Sequence, residues 1–471
     1  MRGLVFLLAL SAAPAVAQSH PVFGNAPQST RLPNGLEVVS VRWNTPGIVA
    51  YYTLVRVGSR DEVEPGHSGF AHLFEHMMFR GTRTMPNREY DRRILSFGAD
   101  NNAFTTRDFT LYTTTAPSTV LDELMQVEAD RFQNLHYDEG AFRTETGAVQ
   151  GEYAKAVSNP RMAMWEALSE ISFPRHTYGH TTLGYLRDIC LMPTRFEYSR
   201  RFFRRFYTPD NSTLIVVGDV DHDALVASAR RHYGRWRGRR ARVRVPAAAE
   251  PTPQSRHIPW DGATPAQMYV AYRAPSFDGG HARGASREAA LRETAALEVV
   301  KGLAFAESSP LYQRLVVRDQ SLLRLAADEG SFTRDPGLFI ATAVLAPPSR
   351  DFDAALEAIQ GELERIAGGE VDAERFEAVR SNQRYRLLGS LQTPDDVANL
   401  LGRTIALSGT VAALDEYLEA LAAVTPQDVS RAASTYLVPG RRSVVTLAAR
   451  VDADGPPPEP GNPCERALGL E

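Results

Sequence analysis

The first half of the chain opens with segments in which apolar and polar positions alternate. Residues 35–41 and 49–57 are rich in β-branched and aromatic side chains, and each segment predicts a strand. Residues 103–115 form a third such segment, whose many threonines predict a long strand with one exposed side or an exposed edge. The pattern then predicts helices at 120–134, 140–157 and 196–207, a strand at 212–219 and a helix at 222–233.

A stretch rich in arginine and proline, residues 236–256, interrupts this pattern and predicts a linker. Its arginines could bind a polyanion, but a solvated linker is the simpler interpretation. Beyond it the pattern restarts, with predicted strands at 267–272, 338–346 and 444–449 and helices at 288–305 and 352–368. The sequence therefore predicts two copies of one α+β unit, at residues 25–235 and 257–452, followed by an extended Pro-rich tail at 453–471.

The N-terminus has the features of an export signal. Arg2 precedes an apolar run at residues 4–10, and an Ala-Val-Ala cleavage site follows, so residues 1–17 predict a secretory signal peptide. No other segment approaches the roughly 20 apolar residues of a membrane-spanning helix, which predicts no transmembrane segment. We therefore expect an exported, periplasmic protein. Its formal net charge of −4 gives no reason to expect nucleic acid as a partner.

The chain has two cysteines, Cys190 and Cys464. In an oxidising compartment they could form a disulfide. Two unrelated thiols are equally compatible with the sequence, because spacing alone does not establish a bridge. So few cysteines exclude a zinc site built from thiolates.

The segment at residues 72–76, His-Leu-Phe-Glu-His, carries the strongest chemical signal in the sequence. Helical residues four apart project from the same side, so His72 and His76 can offer two imidazoles to one metal ion. The carboxylate of Glu75 can lie beside the same ion, where a general base takes a proton from water. This H-x-x-E-H order inverts the commoner H-E-x-x-H motif of zinc proteases, and it requires a third ligand.

The best candidate for the third ligand is Glu152. Glu145 and Glu152 are close to two helical turns apart, so both carboxylates share one face of a helix. Glu152 would bind the metal, and Glu145 could orient a ligand or the water from outside; the alternative is two solvated helix glutamates. His176 and His180 are also four apart, but a neighbouring glycine and proline favour a loop, and no base is suitably placed.

Three longer segments match those of a known enzyme family. Residues 69–82, GFAHLFEHMMFRGT, are similar to its active-site helix, and the two glutamates follow at the expected distance. Residues 98–105, GADNNAFT, resemble its substrate-binding strand, and residues 206–219 resemble the end of its first domain. On these segments the chain resembles the pitrilysin/insulinase family of inverted-motif zinc metallopeptidases, which includes the mitochondrial processing peptidase. The resemblance covers most of the chain.

The resemblance implies a fold and a set of site residues. The fold would be two homologous α/β-sandwich domains, each a mostly antiparallel sheet with helices on it, which together form half of a clamshell. One zinc ion per chain would lie on His72, His76 and Glu152, with Glu75 as the catalytic base and Glu145 as a supporting catalytic carboxylate.

The resemblance also implies how a peptide substrate is bound. Asn102 and Ala103 would contact the peptide, because an exposed strand edge can accept an extended peptide as an added strand. Phe104 could line an apolar side-chain pocket, although a phenylalanine of the core fits the sequence equally well.

The second half departs from the family pattern. Self-sufficient members carry an Arg and, eight positions on, a Tyr that help to bind substrate, whereas Val316 and Arg324 stand at those positions here. A local shift in the alignment would leave Arg314 or Arg318 as a substitute. The length and this departure predict half of an enclosing chamber, completed by a homodimer or by a homologous partner that supplies the Arg/Tyr pair. Our hypothesis is the zinc-bearing subunit of a heterodimer.

The leading hypothesis is therefore an exported zinc metalloendopeptidase that cleaves short or unfolded peptides. One alternative is a non-catalytic assembly subunit of the same fold, and another is a protein that captures peptides by strand addition without cutting them. The presence of all five metal-site residues argues against the assembly subunit.

Overall fold

The computed structural model describes residues 22–280, 284–328, 330, 332–450, 464 and 467. The predicted signal peptide lies outside these residues, as does the predicted tail apart from Cys464 and Ala467. Two β-sheets organise the described chain, and helices pack on both of them. The prediction of a mixed α/β fold with two sheets is therefore confirmed.

The first half contains six strands and eight helices within the described residues. They are β1 (Gln28–Arg31), β2 (Glu37–Arg42), β3 (Ile48–Val55), α1 (Phe70–Met77), α2 (Asn87–Ser96), β4 (Asp100–Thr105), β5 (Thr110–Pro117), α3 (Leu121–Asn134), α4 (Glu139–Val157), α5 (Pro160–Ser172), α6 (Leu186–Leu191), α7 (Phe196–Phe206), β6 (Ser212–Gly218) and α8 (His222–Tyr233). The strand order is β1-β2-β6-β3-β5-β4, and only β2 and β6 are parallel. Strand β4 therefore lies at an edge.

The second half contains five strands and seven helices within the described residues. They are β7 (Gln254–Trp260), β8 (Gln267–Arg273), α9 (Ala285–Phe305), α10 (Pro310–Tyr312), β9 (Leu322–Asp328), β10 (Leu338–Leu345), α11 (Phe352–Ala367), α12 (Ala373–Gly389), α13 (Pro394–Ser408), α14 (Ala413–Ala423), α15 (Pro426–Tyr436) and β11 (Arg442–Ala449). A π-helical segment, Gln313–Arg318, extends α10. The strand order is β7-β11-β8-β10-β9, and only β7 and β11 are parallel.

The two sheets repeat one topology. Strands β7, β11, β8, β10 and β9 take the places that β2, β6, β3, β5 and β4 take in the first sheet, including the single parallel pair. Helices α9 and α12 then occupy the chain positions of α1 and α4. The halves are therefore two versions of one unit, while their limits at residues 25–235 and 257–452 stay a prediction.

Each half packs one of its helices against the sheet of the other half. Helix α5 packs Met164 and Leu168 into an apolar cluster with Ile340 of the second sheet. Helix α13 packs Leu401 into a cluster with Ile215 of the first sheet. Full burial of each such side chain contributes about 1.5–3 kcal/mol. Because α5 and α13 occupy equivalent chain positions, the exchange is reciprocal, and it joins the halves through their cores.

Two predictions from the sequence were wrong in detail. The single strand over 103–115 is a hairpin of β4 and β5, because Thr106 turns the chain: its Oγ1 accepts hydrogen bonds from the backbone N–H groups of Asp108 and Phe109, at 3.1 and 3.0 Å. The linker predicted over 236–256 is irregular only as far as Pro253, because β7 begins at Gln254 and pairs with β11.

Two further observations concern the membrane and the cysteines. Among the described helices, none is by itself long and apolar enough to span a membrane; α13 and α14 pass that test only together, across a bend of 89°. Cys190 and Cys464 form a disulfide, so they are not the two unrelated thiols that the sequence also allowed.

Candidate metal centre

Helix α1 has two faces of different chemistry. Phe70, Leu73, Phe74 and Met77 follow the spacing i, i+3, i+4, i+7, and all four are fully buried. The ring of Phe74 stacks on that of Phe202 in α7, with 5.1 Å between the centroids. An isolated helix of this length is not stable in water, so packing of the apolar face holds α1 in place. The other face carries the candidate metal residues.

The start of α1 is fixed by a buried carboxylate. Glu62 accepts hydrogen bonds from the backbone N–H groups of Gly69, at 2.8 Å, and Ala71, at 2.6 Å. These are N–H groups that a helix start leaves without partners. Burial raises the pKa of Glu62 to about 8. Gly69 has φ +89°, and a Cβ there would lie 2.4 Å from the carbonyl oxygen of Leu183, so glycine is required. No sequence signal pointed to Glu62.

The three predicted metal ligands lie together. Ligand atoms of His72, His76 and Glu152 are all within 4.8 Å of one another, because α4 runs beside α1. The two Glu152 carboxylate oxygens lie 3.5 Å from the Nε2 atoms of His72 and His76. Tetrahedral zinc with bonds of about 2.0–2.1 Å sets its ligand atoms about 3.4 Å apart, so this donor set fits zinc.

Protonation also favours metal binding at this cluster. Burial, reinforced by the neighbouring His76, lowers the pKa of His72 to about 4. The His72 imidazole is therefore neutral near pH 7, with a lone pair available for a metal. Its Nδ1 atom is buried and has no hydrogen-bond partner within the described residues.

Glu145 supports the cluster from outside. This carboxylate is buried, and its Oε2 lies 3.3 Å from Nδ1 of His76, the ring nitrogen that points away from Glu152. Its other oxygen pairs with the guanidinium of Arg80. Such outer partners fix the orientation of a metal-binding imidazole. The sequence reasoning missed Arg80, which lies four residues after His76 in the turn that follows α1.

Glu75 is held by a residue that the sequence reasoning also missed. The hydroxyl of Thr105, at the end of β4, donates a hydrogen bond of 2.7 Å to Oε2 of Glu75. Burial raises the pKa of Glu75, and the Thr105 hydrogen bond acts against that shift by stabilising the carboxylate. The carboxylate of Glu75 is therefore held beside the three candidate metal ligands. Thr105 is the last residue of the GADNNAFT segment.

A cavity of about 390 Å³ opens beside Glu75 and His76. It is lined by Glu75, His76, Phe79, Arg80, Asn87, Asn102, Ala103 and Glu145. Two of the three predicted substrate-binding residues thus border the centre. Larger cavities lie elsewhere on the first half, between α3 and α7.

Phe104, the third predicted substrate-binding residue, does not line this cavity. Its ring lies 6.1 Å from that of Phe109 and 5.4 Å from the guanidinium of Arg403, in the apolar cluster that α13 forms on the first sheet. Successive residues of a strand point to opposite faces, and Thr105 already points at Glu75. Of the two alternatives that the sequence left open for Phe104, these contacts favour the apolar core between the halves over the substrate pocket.

The second histidine pair, His176 and His180, is not on an α-helix. The residues between them, Thr177–Gly179, form a short 3-10 turn, which agrees with the predicted loop. Nε2 of His176 lies 2.9 Å from a carboxylate oxygen of Asp335, and its Nδ1 accepts a hydrogen bond from the backbone of Tyr178. His176 thus joins the two halves of the chain and has no part in the metal cluster.

The positions expected for the Arg/Tyr pair lie on the second half. Val316, Arg314 and Arg318 are in the π-helical segment, and Arg324 is on the edge strand β9. No contact of these residues with the metal cluster occurs in the described chain.

Comparisons with known proteins agree with the geometry of the cluster. The family model described as insulinase, peptidase family M16, matches residues 38–185, and that of the peptidase M16 inactive domain matches residues 196–383. An uncharacterized zinc protease of Streptomyces coelicolor is 30% identical over 89% of this chain and 88% of its own length. The chain belongs to peptidase family M16.

Two further relatives of this M16 chain come from Helicobacter pylori. Zinc protease PqqE is 25% identical over 89% of this chain and 92% of its own length. The crystal structure of a protease from the same organism superposes with a TM-score of 0.80 at 24% identity, and it covers 90% of this chain and 99% of that one. The resemblance to the insulinase family is thereby confirmed, and these relatives place the chain among its short bacterial members.

Proposed function

We propose that this M16 chain is a zinc metalloendopeptidase with His72, His76 and Glu152 as ligands of one zinc ion. The observation that carries the proposal is the cluster of these three side chains beside a fixed Glu75 and the edge strand β4. Membership of a family of zinc peptidases and the names of its relatives support it.

The residues of the site divide the work of peptide hydrolysis. Zinc, when bound, supplies polarisation of the scissile carbonyl and a lower pKa for the attacking water. Glu75 accepts the proton of that water and passes it to the leaving nitrogen. Thr105 keeps the Glu75 carboxylate in the orientation that these transfers need. Glu145 and Arg80 hold the ring of His76.

The proposed substrate is an extended segment of a short or unfolded peptide. Strand β4 has no strand on its outer side in the described sheet, and Asn102 and Ala103 of this strand line the cavity beside Glu75. A peptide added along β4 would form backbone hydrogen bonds and pass its scissile bond over the centre.

We further propose that the chain acts after export, as the zinc-bearing subunit of a dimer. The disulfide between Cys190 and Cys464 and the signal-like N-terminus support an oxidising compartment such as the periplasm. Val316 and Arg324, which stand at the positions expected for the Arg/Tyr pair, support a homologous partner that supplies that pair.

The test is cleavage of a quenched fluorescent, unstructured peptide by the purified chain, with and without a chelator and with and without the candidate homologue. We expect one zinc per chain, slow cleavage alone, faster cleavage with the homologue, and none with chelator. Full activity of the isolated chain would defeat the heterodimer while leaving the peptidase. Zinc-free protein, or peptide binding without cleavage in every mixture, would defeat the peptidase.

A further inference from the structure

A continuous groove lies between helices α3 and α7, separate from the metal centre. It consists of two cavities of about 1070 and 670 Å³, which share Thr84, Asp130, Asn134, Phe203 and Arg204. None of the residues that line the cavity beside Glu75 lines either of them. We call this feature the α3–α7 groove.

The α3–α7 groove is strongly basic, although the chain as a whole is acidic. The larger cavity is lined by Arg93, Arg204, Arg231, Arg235 and Arg237, and the smaller one adds Arg83 and Arg200. Asp130 is the one acidic residue among the lining residues. Seven arginines and one aspartate give the lining a formal charge of +6, against −4 for the whole chain. Three of the arginines are ion-paired with carboxylates just outside the lining, Arg93 with Glu89, Arg200 with Glu197 and Arg231 with Asp122, which leaves a charge of +3.

Much of this positive charge has no internal counter-charge. Within the described part of the chain, Arg83, Arg204 and Arg235 form no ion pair, and all three are exposed. Within the described residues Asp130 forms no ion pair with them, and its oxygens accept hydrogen bonds from Thr82, at 2.6 Å, and from Asn134, at 2.7 Å. The groove thus presents guanidinium groups to an anion from outside.

The shape of the groove favours a polypeptide as that anion. Two joined cavities accommodate a chain with several charges, whereas a flat bilayer surface would reach only the rim. A guanidinium fork matches the two oxygens of a carboxylate. Phe203 lies where the cavities join and is only partly buried, so an apolar side chain between acidic ones has a surface to contact.

We propose that the α3–α7 groove binds a carboxylate-rich segment of a partner protein, at a site distinct from the peptidase centre. The attraction is electrostatic, so it weakens as salt screens the charges. Binding here would hold a partner against the outside of the metal-bearing half.

The test measures binding of fluorescein-labelled decaglutamate by anisotropy, on the full chain carrying Glu75→Gln so that the probe is not consumed. We expect saturable binding that weakens with rising sodium chloride. The double variant R204E/R235E should weaken it by about tenfold or more, and R204Q/R235Q by less. The control R42E/R384E makes the same charge change at two exposed arginines outside the groove, and it should bind nearly as the parent does.

Melting temperature and zinc content verify that each variant is folded. Equal weakening in the control, or none in the groove variants, would overturn the proposal. Phosphatidylglycerol vesicles, inorganic polyphosphate and a single-stranded oligonucleotide are measured in parallel. Tighter binding of any of these than of decaglutamate, lost in R204E/R235E, would also overturn it, because the ligand would then belong to another class.

Discussion

The two halves of this chain share a sheet topology but differ in one pair of helices. In the first half, α1 and α4 bring two imidazoles and a carboxylate within 4.8 Å. In the second half, α9 and α12 occupy the equivalent places, and there Gly302 packs so closely that a Cβ would lie 2.4 Å from Val379 and 3.0 Å from Gln383. No comparable group of metal-ligating side chains occurs among the described residues of that half.

This difference separates what the fold supplies from what the side chains supply. The fold places a pair of neighbouring helices in each half. A few residues then decide whether the space between the two helices is a metal site or is closely packed. The match of residues 196–383 to a domain described as inactive agrees with this division. The comparison predicts that all zinc binding resides in the first half.

The largest effect should come from removing a metal ligand. His76→Ala and Glu152→Gln should each lower zinc content far below one per chain and abolish peptide cleavage, because the candidate site offers three protein ligands within the described residues. The matched control is Glu377→Gln, which changes an exposed glutamate on α12, the counterpart of α4. Zinc content by atomic absorption should be unchanged in the control. Equal loss of zinc there would break the comparison between the halves.

A smaller effect should follow from Glu145→Gln. A neutral amide holds the Nδ1–H of His76 less strongly and no longer pairs with Arg80, so zinc affinity should fall by about 10–100-fold. Competition with a chromophoric chelator measures this affinity. Arg80→Ala leaves the carboxylate in place and should cost less. Unchanged affinity in both variants would show that the outer carboxylate has no supporting role.

The smallest effect should come from Thr105→Val, which keeps the side-chain shape and removes the hydroxyl. Zinc content should not change, but kcat should fall by about tenfold, because Glu75 loses the group that orients it. The hydrogen bond lowers the pKa of Glu75, so its loss should move the acid limb of the pH–rate profile to higher pH. Thr105→Ser should restore both properties. A normal pH profile in the valine variant would exclude this positioning role.

Local patterns in the sequence were sufficient for much of the site. His72, His76, Glu145 and Glu152 are related by helical spacing, and only the packing of two helices was needed to unite them. Arg80 lies beyond the end of α1, in the turn after it, so helical spacing alone did not indicate its contact with Glu145.

Long-range features could not be predicted from local patterns. Thr105 and Glu62 act through contacts between separate elements. No periodicity within a single sequence indicates which elements meet. The exchange of α5 and α13 between the halves also depends on which sheet face is uncovered, not on the helix sequence alone. The sequence left Phe104 open between a pocket and the core for this reason, since its partner Arg403 comes from the exchanged helix.

The most direct test of the central claim is a single pair of measurements on Glu75→Gln, zinc content and turnover of an unstructured peptide in the presence of the homologous partner. The substitution leaves His72, His76 and Glu152 intact and removes only the proposed base. We predict one zinc per chain, as in the parent, with turnover reduced by about 100-fold or more. Turnover close to that of the parent, with zinc bound, would contradict the assignment of Glu75 and of the catalytic centre built around it.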